Sequence, residues 1–154
     1  MRGIRPDSCN NAVDYYGIQK WAAENTPTLS ISSDNSNVNS LNILNRSFIS
    51  GVSYSCNVGN VDDRKGDELV IVFYQPDYSN LATMYLFSYF NEEWDVISKW
   101  TVREDDLNGH DHVTRGDNFG EIEIRTLDFE AIVHDTVIKL KDFDSRNLPF
   151  EIKK

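Results

Sequence analysis

Cysteine, methionine, histidine and proline are all scarce in this chain of 154 residues, which holds only two, two, three and four of them. Cys9 and Cys56 are too few for a disulfide framework and badly spaced for zinc. They leave two states open: one bridge closing a long loop, or two free thiols with Cys56 buried in a strand. No apolar run approaches the roughly 18 residues that a membrane helix needs. Residues 1–25 also lack the apolar core of a secretory leader, so membrane insertion is not expected. The compartment stays open, and would be extracytoplasmic if a leader had been removed. Zinc-protease, nucleophile-elbow and phosphate-loop patterns are missing too, so no nucleophile or phosphate cradle is nominated.

What the chain has in excess is acid, with 25 Asp and Glu against 15 Lys and Arg and a net charge of −10. The excess is confined to one part of the chain. Residues 1–57 balance, Asp7, Asp14, Glu24 and Asp34 facing Arg2, Arg5, Lys20 and Arg46, whereas residues 58–154 hold 21 acids and 11 bases. Such a surface repels phosphate backbones and anionic headgroups, which argues against nucleic acid. It favours cations or a basic protein partner.

With 40% apolar residues and 7 Tyr, 8 Phe and 3 Trp, the chain can bury a core, and its length suits one domain spanning residues 1–154. Apolar spacing of three to four predicts a helix over Asn11–Asn25, stopped at Pro27. The Ser/Asn-rich segment that follows, to residue 47, competes for backbone hydrogen bonds and predicts irregular structure or short strands. From Phe48 the period becomes two, and residues 48–154 read as an antiparallel β core. Phe48, Val52, Tyr54, Cys56 and Val58 share one face. Leu69–Tyr74 is apolar on both faces, as in a central strand. Met84–Phe90 and Trp94–Val102 read as a hairpin turning at Asn91–Glu93, with Trp94, Val96, Trp100 and Val102 on one face. Arg103–Asn118 reads as a polar loop. Strands resume at Glu121–Thr126, Phe129–His134 and Thr136–Leu140, and Pro149 places the run to Ile152 on an edge. The expected fold is mostly β, sandwich-like or propeller-blade-like, with antiparallel sheets and one N-terminal helix.

The run Asn60-Val61-Asp62-Asp63-Arg64-Lys65-Gly66-Asp67-Glu68, followed by the aliphatic Leu69-Val70-Ile71, resembles the loop-then-strand unit of FG-GAP or VCBS-type repeats. The resemblance covers residues 58–102. That family pattern alternates oxygen ligands before a glycine and an acid, and it implies calcium as the cofactor, with Asn60, Asp62 and Glu68 at ligand positions. Arg64 stands at the third oxygen position and Lys65 at the glycine, with Gly66 one place late. Two outcomes are open: a calcium site, or a loop that keeps the turn without an ion. A weaker echo at Asp106-Leu107-Asn108-Gly109-His110-Asp111 adds Asp106, Asn108 and Asp111 as ligands, at an interval suited to one four-stranded blade.

Other groupings are less specific. His110 and His112 could share one face of an extended segment and ligate a transition metal. Arg115-Gly116-Asp117 spells an integrin-recognition tripeptide. Tyr85, Tyr89 and Trp94 belong to an aromatic run that either fills the core or forms a patch for a protein or a glycan.

Three function classes follow. The leading one is a non-enzymatic acidic domain that binds another macromolecule, for example as an inhibitor or immunity-type protein against a basic partner. Asp105, Asp106, Asp111, Asp117, Tyr85, Tyr89 and Trp94 would then be its contact residues. The second is a calcium-dependent repeat module. The third is an enzyme working through paired carboxylates or a metal.

Overall fold

Alternating and doubly apolar segments condense into ten strands in the computed structural model, which describes residues 20–21, 24–25, 28–45, 51–74, 81–103, 112–127, 133–140, 143–144, 146 and 148–153. In chain order these are β1 (Thr28–Ile31), β2 (Leu41–Asn45), β3 (Gly51–Gly59), β4 (Glu68–Tyr74) and β5 (Leu81–Phe90). They continue with β6 (Glu93–Arg103), β7 (His112–Arg115), β8 (Glu121–Leu127), β9 (Val133–Lys139) and β10 (Phe150–Ile152). They form three sheets, ordered β1-β2-β10, β3-β4-β5-β6 and β7-β8-β9, and every pairing is antiparallel.

The four-stranded meander is the middle layer, because both of its faces are covered. Val58, Val70, Val72, Ala82, Met84 and Leu86 pack against Val113, Ile122 and Ile124 of the β7-β8-β9 sheet. On the opposite face Ile71, Phe73, Tyr85, Phe87 and Val96 pack against Leu41, Ile43 and Phe150 of the β1-β2-β10 sheet. This is why Leu69–Tyr74 is apolar at successive positions: a strand buried on both sides has no residue to spare for water. The outer faces of the flanking sheets read differently. β1 turns Thr28 and Ser30 outward, while β8 and β9 turn out Arg125, Asp135 and Lys139. Among the described residues the outer faces are thus largely polar.

The described residues of the middle sheet carry three register shifts, one of them between Asn57 and Gly59. The other two set which residues face which layer, since a one-residue slip in register moves a side chain to the other face. The first lies between Val52 and Tyr54, opposite Phe73 and Val72. Val52 is consequently 39% exposed and leaves the face it was expected to share with Tyr54, Cys56 and Val58. The second lies where Leu86 faces Ser98 and Phe87 faces Val96. It sends Trp94 and Val96 to the β1-β2-β10 side and Trp100 and Val102 to the other, splitting the single face read from their spacing. The β5–β6 turn falls at Asn91 and Glu92, both at positive φ (52° and 65°), as a two-residue hairpin requires.

The stretch read as a polar loop contains β7, because Val113 is buried opposite Ile124. One strand, β9, spans the expected break between His134 and Thr136. Most of the helix expected over residues 11–25 lies outside the described residues. β10 is an edge strand, as Pro149 implied, and it pairs with β2 within the Ser/Asn-rich segment. Its Phe150 ring meets Tyr85 at 5.0 Å, Phe73 at 5.4 Å and Phe87 at 6.0 Å between centroids. Replacing Phe150 with Ala should cost about 3–5 kcal/mol in urea unfolding. Val137→Ala, at a position 53% exposed, should lie within about 0.5 kcal/mol of wild type.

Candidate functional site

The β3–β4 connection folds on its own side-chain amides and carboxylates. Asn60 Oδ1 accepts from the Asp63 N–H at 2.9 Å, and Asp62 Oδ1 accepts from the Arg64 N–H at 2.9 Å. The Asn60 amide donates to the Arg64 carbonyl. Asp63 takes a positive φ of 64°, and Gly66 one of 139°. A Cβ at Gly66 would stand 3.0 Å from the Tyr89 carbonyl oxygen, so the loop leans on β5 where only glycine is comfortable.

Glu68 anchors this loop. It is 1% exposed at the first position of β4. One carboxylate oxygen accepts from the Val61 N–H at 2.5 Å, with the Asp62 N–H at 3.4 Å, and the other accepts from the Ser88 hydroxyl at 3.0 Å. Burial pushes the carboxyl above its ordinary 4.5 and the nearby Asp62 charge adds to this, while the Val61, Ser88 and Asp62 donors pull it back. The β7-β8-β9 sheet grips the same segment from the other side. Gly120 N–H donates to the Val61 carbonyl at 2.7 Å, and the Arg115 guanidinium donates to the Asn60 carbonyl at 3.2 Å.

The structure places Asn60, Asp62 and Glu68, the ligand positions that the resemblance implied, on one loop, but for calcium their fit is poor. The Arg64 guanidinium sits 2.5 Å from Asp62 Oδ2, from both Nε and a terminal nitrogen. Both Glu68 oxygens and the Asn60 oxygen already accept protein hydrogens, so they offer little to a cation wanting roughly six to eight oxygens. The ligands expected at Asp106, Asn108 and Asp111 lie outside the described residues, as do Asp105 and His110. His112 is on β7. Asp117 is exposed in the β7–β8 turn, where the neighbouring Arg115 is spent on Asn60 and lies 5.1 Å over the Phe119 ring. Cys56 is a free thiol, 3.5 Å from the Val113 carbonyl.

The expected aromatic contacts separate. Tyr85 is 5% exposed inside the core, because its side of β5 faces the β1-β2-β10 sheet; it is corrected from surface residue to core residue. Tyr89 and Trp94, partners across the β5–β6 hairpin, are half-buried with ring centroids 5.0 Å apart. They line a groove of about 590 Å³ at the end of the interface between the middle sheet and the β1-β2-β10 sheet. Its other walls are Ile31 of β1 with the β1–β2 connection (Ser32, Ser33, Asn35 and Val38), Asn57 on β3, and Gly66–Leu69. Trp94 Nε1 donates to the Asn39 carbonyl at 2.7 Å and Asn39 N–H donates to the Tyr89 hydroxyl at 3.1 Å, so the β1–β2 connection is tied to the aromatic pair. Asn57 donates to Asp67 Oδ2 at 3.1 Å and so orients that carboxylate.

Sequence reading missed Asp67, Asn57 and Ser88. A serine inside the otherwise apolar Met84–Phe90 run was the available signal for a buried polar partner. No family model matches this chain, and no curated protein or solved structure matches it.

The raised Glu68 value fixes a pH dependence. The folded chain holds this proton more tightly than the unfolded one, so the contribution favours folding fully below about 4.5 and is lost as pH rises through the folded value. Urea titrations across pH should therefore show wild type losing stability relative to Glu68→Gln as pH climbs from about 4.5. A constant gap between the two would contradict it.

Proposed function

We propose that the chain is a non-enzymatic binding module whose groove takes an extended basic segment of a protein partner. The observation that carries this reading is the groove's chemistry. Its lining includes the exposed Asp67 carboxylate, amides, hydroxyls and the Tyr89–Trp94 pair, and among the described residues it includes no lysine or arginine. An ammonium or guanidinium entering there meets an oriented carboxylate and aromatic faces, the two groups that attract such cations most directly. The net charge of −10 adds a long-range field that steers basic partners toward the protein.

The reading is tested with fluorescent hexalysine and hexaglutamate peptides, followed by anisotropy over a salt series. Hexalysine should bind with an affinity that falls as salt rises, and hexaglutamate should not bind. Asp67→Asn should weaken hexalysine about five- to tenfold, the equivalent of roughly 1–1.4 kcal/mol, and Trp94→Ala should weaken it further. Asp117→Asn removes the same charge from a turn outside the groove and serves as the control. Equal losses for Asp67→Asn and Asp117→Asn would reduce the effect to net charge and overturn the groove assignment.

A further inference from the structure

We propose that the Arg64 guanidinium is the resident cation of the Asn60–Glu68 loop, a tethered substitute that makes an ion-type turn independent of calcium. This inference does not rest on the groove as a binding site.

Three observations converge on it. Asp62 has only 13% of its side chain exposed and so needs a counter-charge, and the nearest positive group is the guanidinium two residues on, 2.5 Å from its outer oxygen. The same Asp62 receives the Arg64 backbone N–H through its other oxygen, so one residue neutralises the carboxylate and closes the turn beneath it. The guanidinium is held in place from behind, lying 5.2 Å from the centroid of the Phe90 ring. A planar, permanently charged group with several donors suits this role better than an ammonium would.

Residues 60, 62 and 64 alternate along the turn, and Arg64 brings its charge to Asp62 from within the chain. An ion bound from solution must first be captured, whereas this one is present whenever the loop is made. Arg115, donating to the Asn60 carbonyl, places a second guanidinium on the same loop.

Thermal melts in chelator and in millimolar calcium test the assignment on wild type, Arg64→Ala and Arg64→Asp. Wild type should melt at one temperature in both buffers, and calorimetry with calcium chloride should give no binding heat. Arg64→Ala should melt lower by about 2–4 °C in either buffer. Arg64→Asp restores an oxygen at the third alternating position and should melt lower still in chelator, with calcium raising it again. An Arg64→Asp protein that folds only with calcium supports the assignment equally. Calcium-binding heat or a calcium-dependent melt in wild type overturns it, and so does an Arg64→Ala melt equal to wild type. Coincident melts of Arg64→Asp in the two buffers overturn it as well. The calorimetry on wild type needs no variant to fold.

Discussion

One buried carboxylate joins the parts of this molecule that sequence alone would leave separate. Glu68 begins the central strand, reaches back to the backbone of Val61 and Asp62, and reaches across to Ser88 on the next strand. A carboxylate this deep is costly unless its lone pairs are met, so the turn before it and the strand beside it are held in mutual register. Val61, itself fully buried, then completes the apolar layer under the β7-β8-β9 sheet. The groove wall at Gly66–Leu69 follows from the same constraint, because the turn that Glu68 fixes also presents Asp67.

Around that anchor the described residues form a stack in which the middle sheet is buried on both faces. The contrast between layers is one of hydration. The middle sheet places Ile71, Phe73, Tyr85 and Phe87 on one side and Val70, Val72, Met84 and Leu86 on the other. Among the described residues the flanking sheets each spend one face on apolar contact and leave the other largely to polar side chains, with Val137 exposed among them. On the outside of β8 and β9 Arg125 pairs with Asp135 at 2.7 Å. Such exposed pairs add little stability, but they keep that face wet and unlike the next apolar surface of a longer stack.

Much of the fold was legible because strand period and burial are written in the same residues. The central strand, the β5–β6 hairpin and the edge position of β10 could all be read from apolar alternation and from Asn91 and Pro149. The flipped faces of Val52 and of Trp100 could not, because a bulge depends on how two strands meet and leaves no mark in either alone. β7 was hidden for another reason: Val113 is its one buried apolar residue, amid a run of charges. Within the site the turn was legible from Asn60, Asp62 and Glu68, whose spacing is local. The groove was not, since Asn35, Asn57, Asp67, Tyr89 and Trp94 come from four separate stretches that only the layered packing assembles.

The pairing of β10 with β2 also has the longest reach in sequence of the described strand pairings. The hairpins of the middle sheet close between neighbouring stretches, as do those of the β7-β8-β9 sheet, and such contacts form early at low entropic cost. Ile43, by contrast, finds Ile152 across nearly the whole intervening chain. Without it, Phe73, Tyr85 and Phe87 would lack the ring of Phe150, though Leu41 and Ile43 of β2 would still lie over part of that face. Among the described strand pairings, the one of longest reach in sequence is thus the one that completes the aromatic cluster, and closing so long a stretch carries the larger loop-entropy cost.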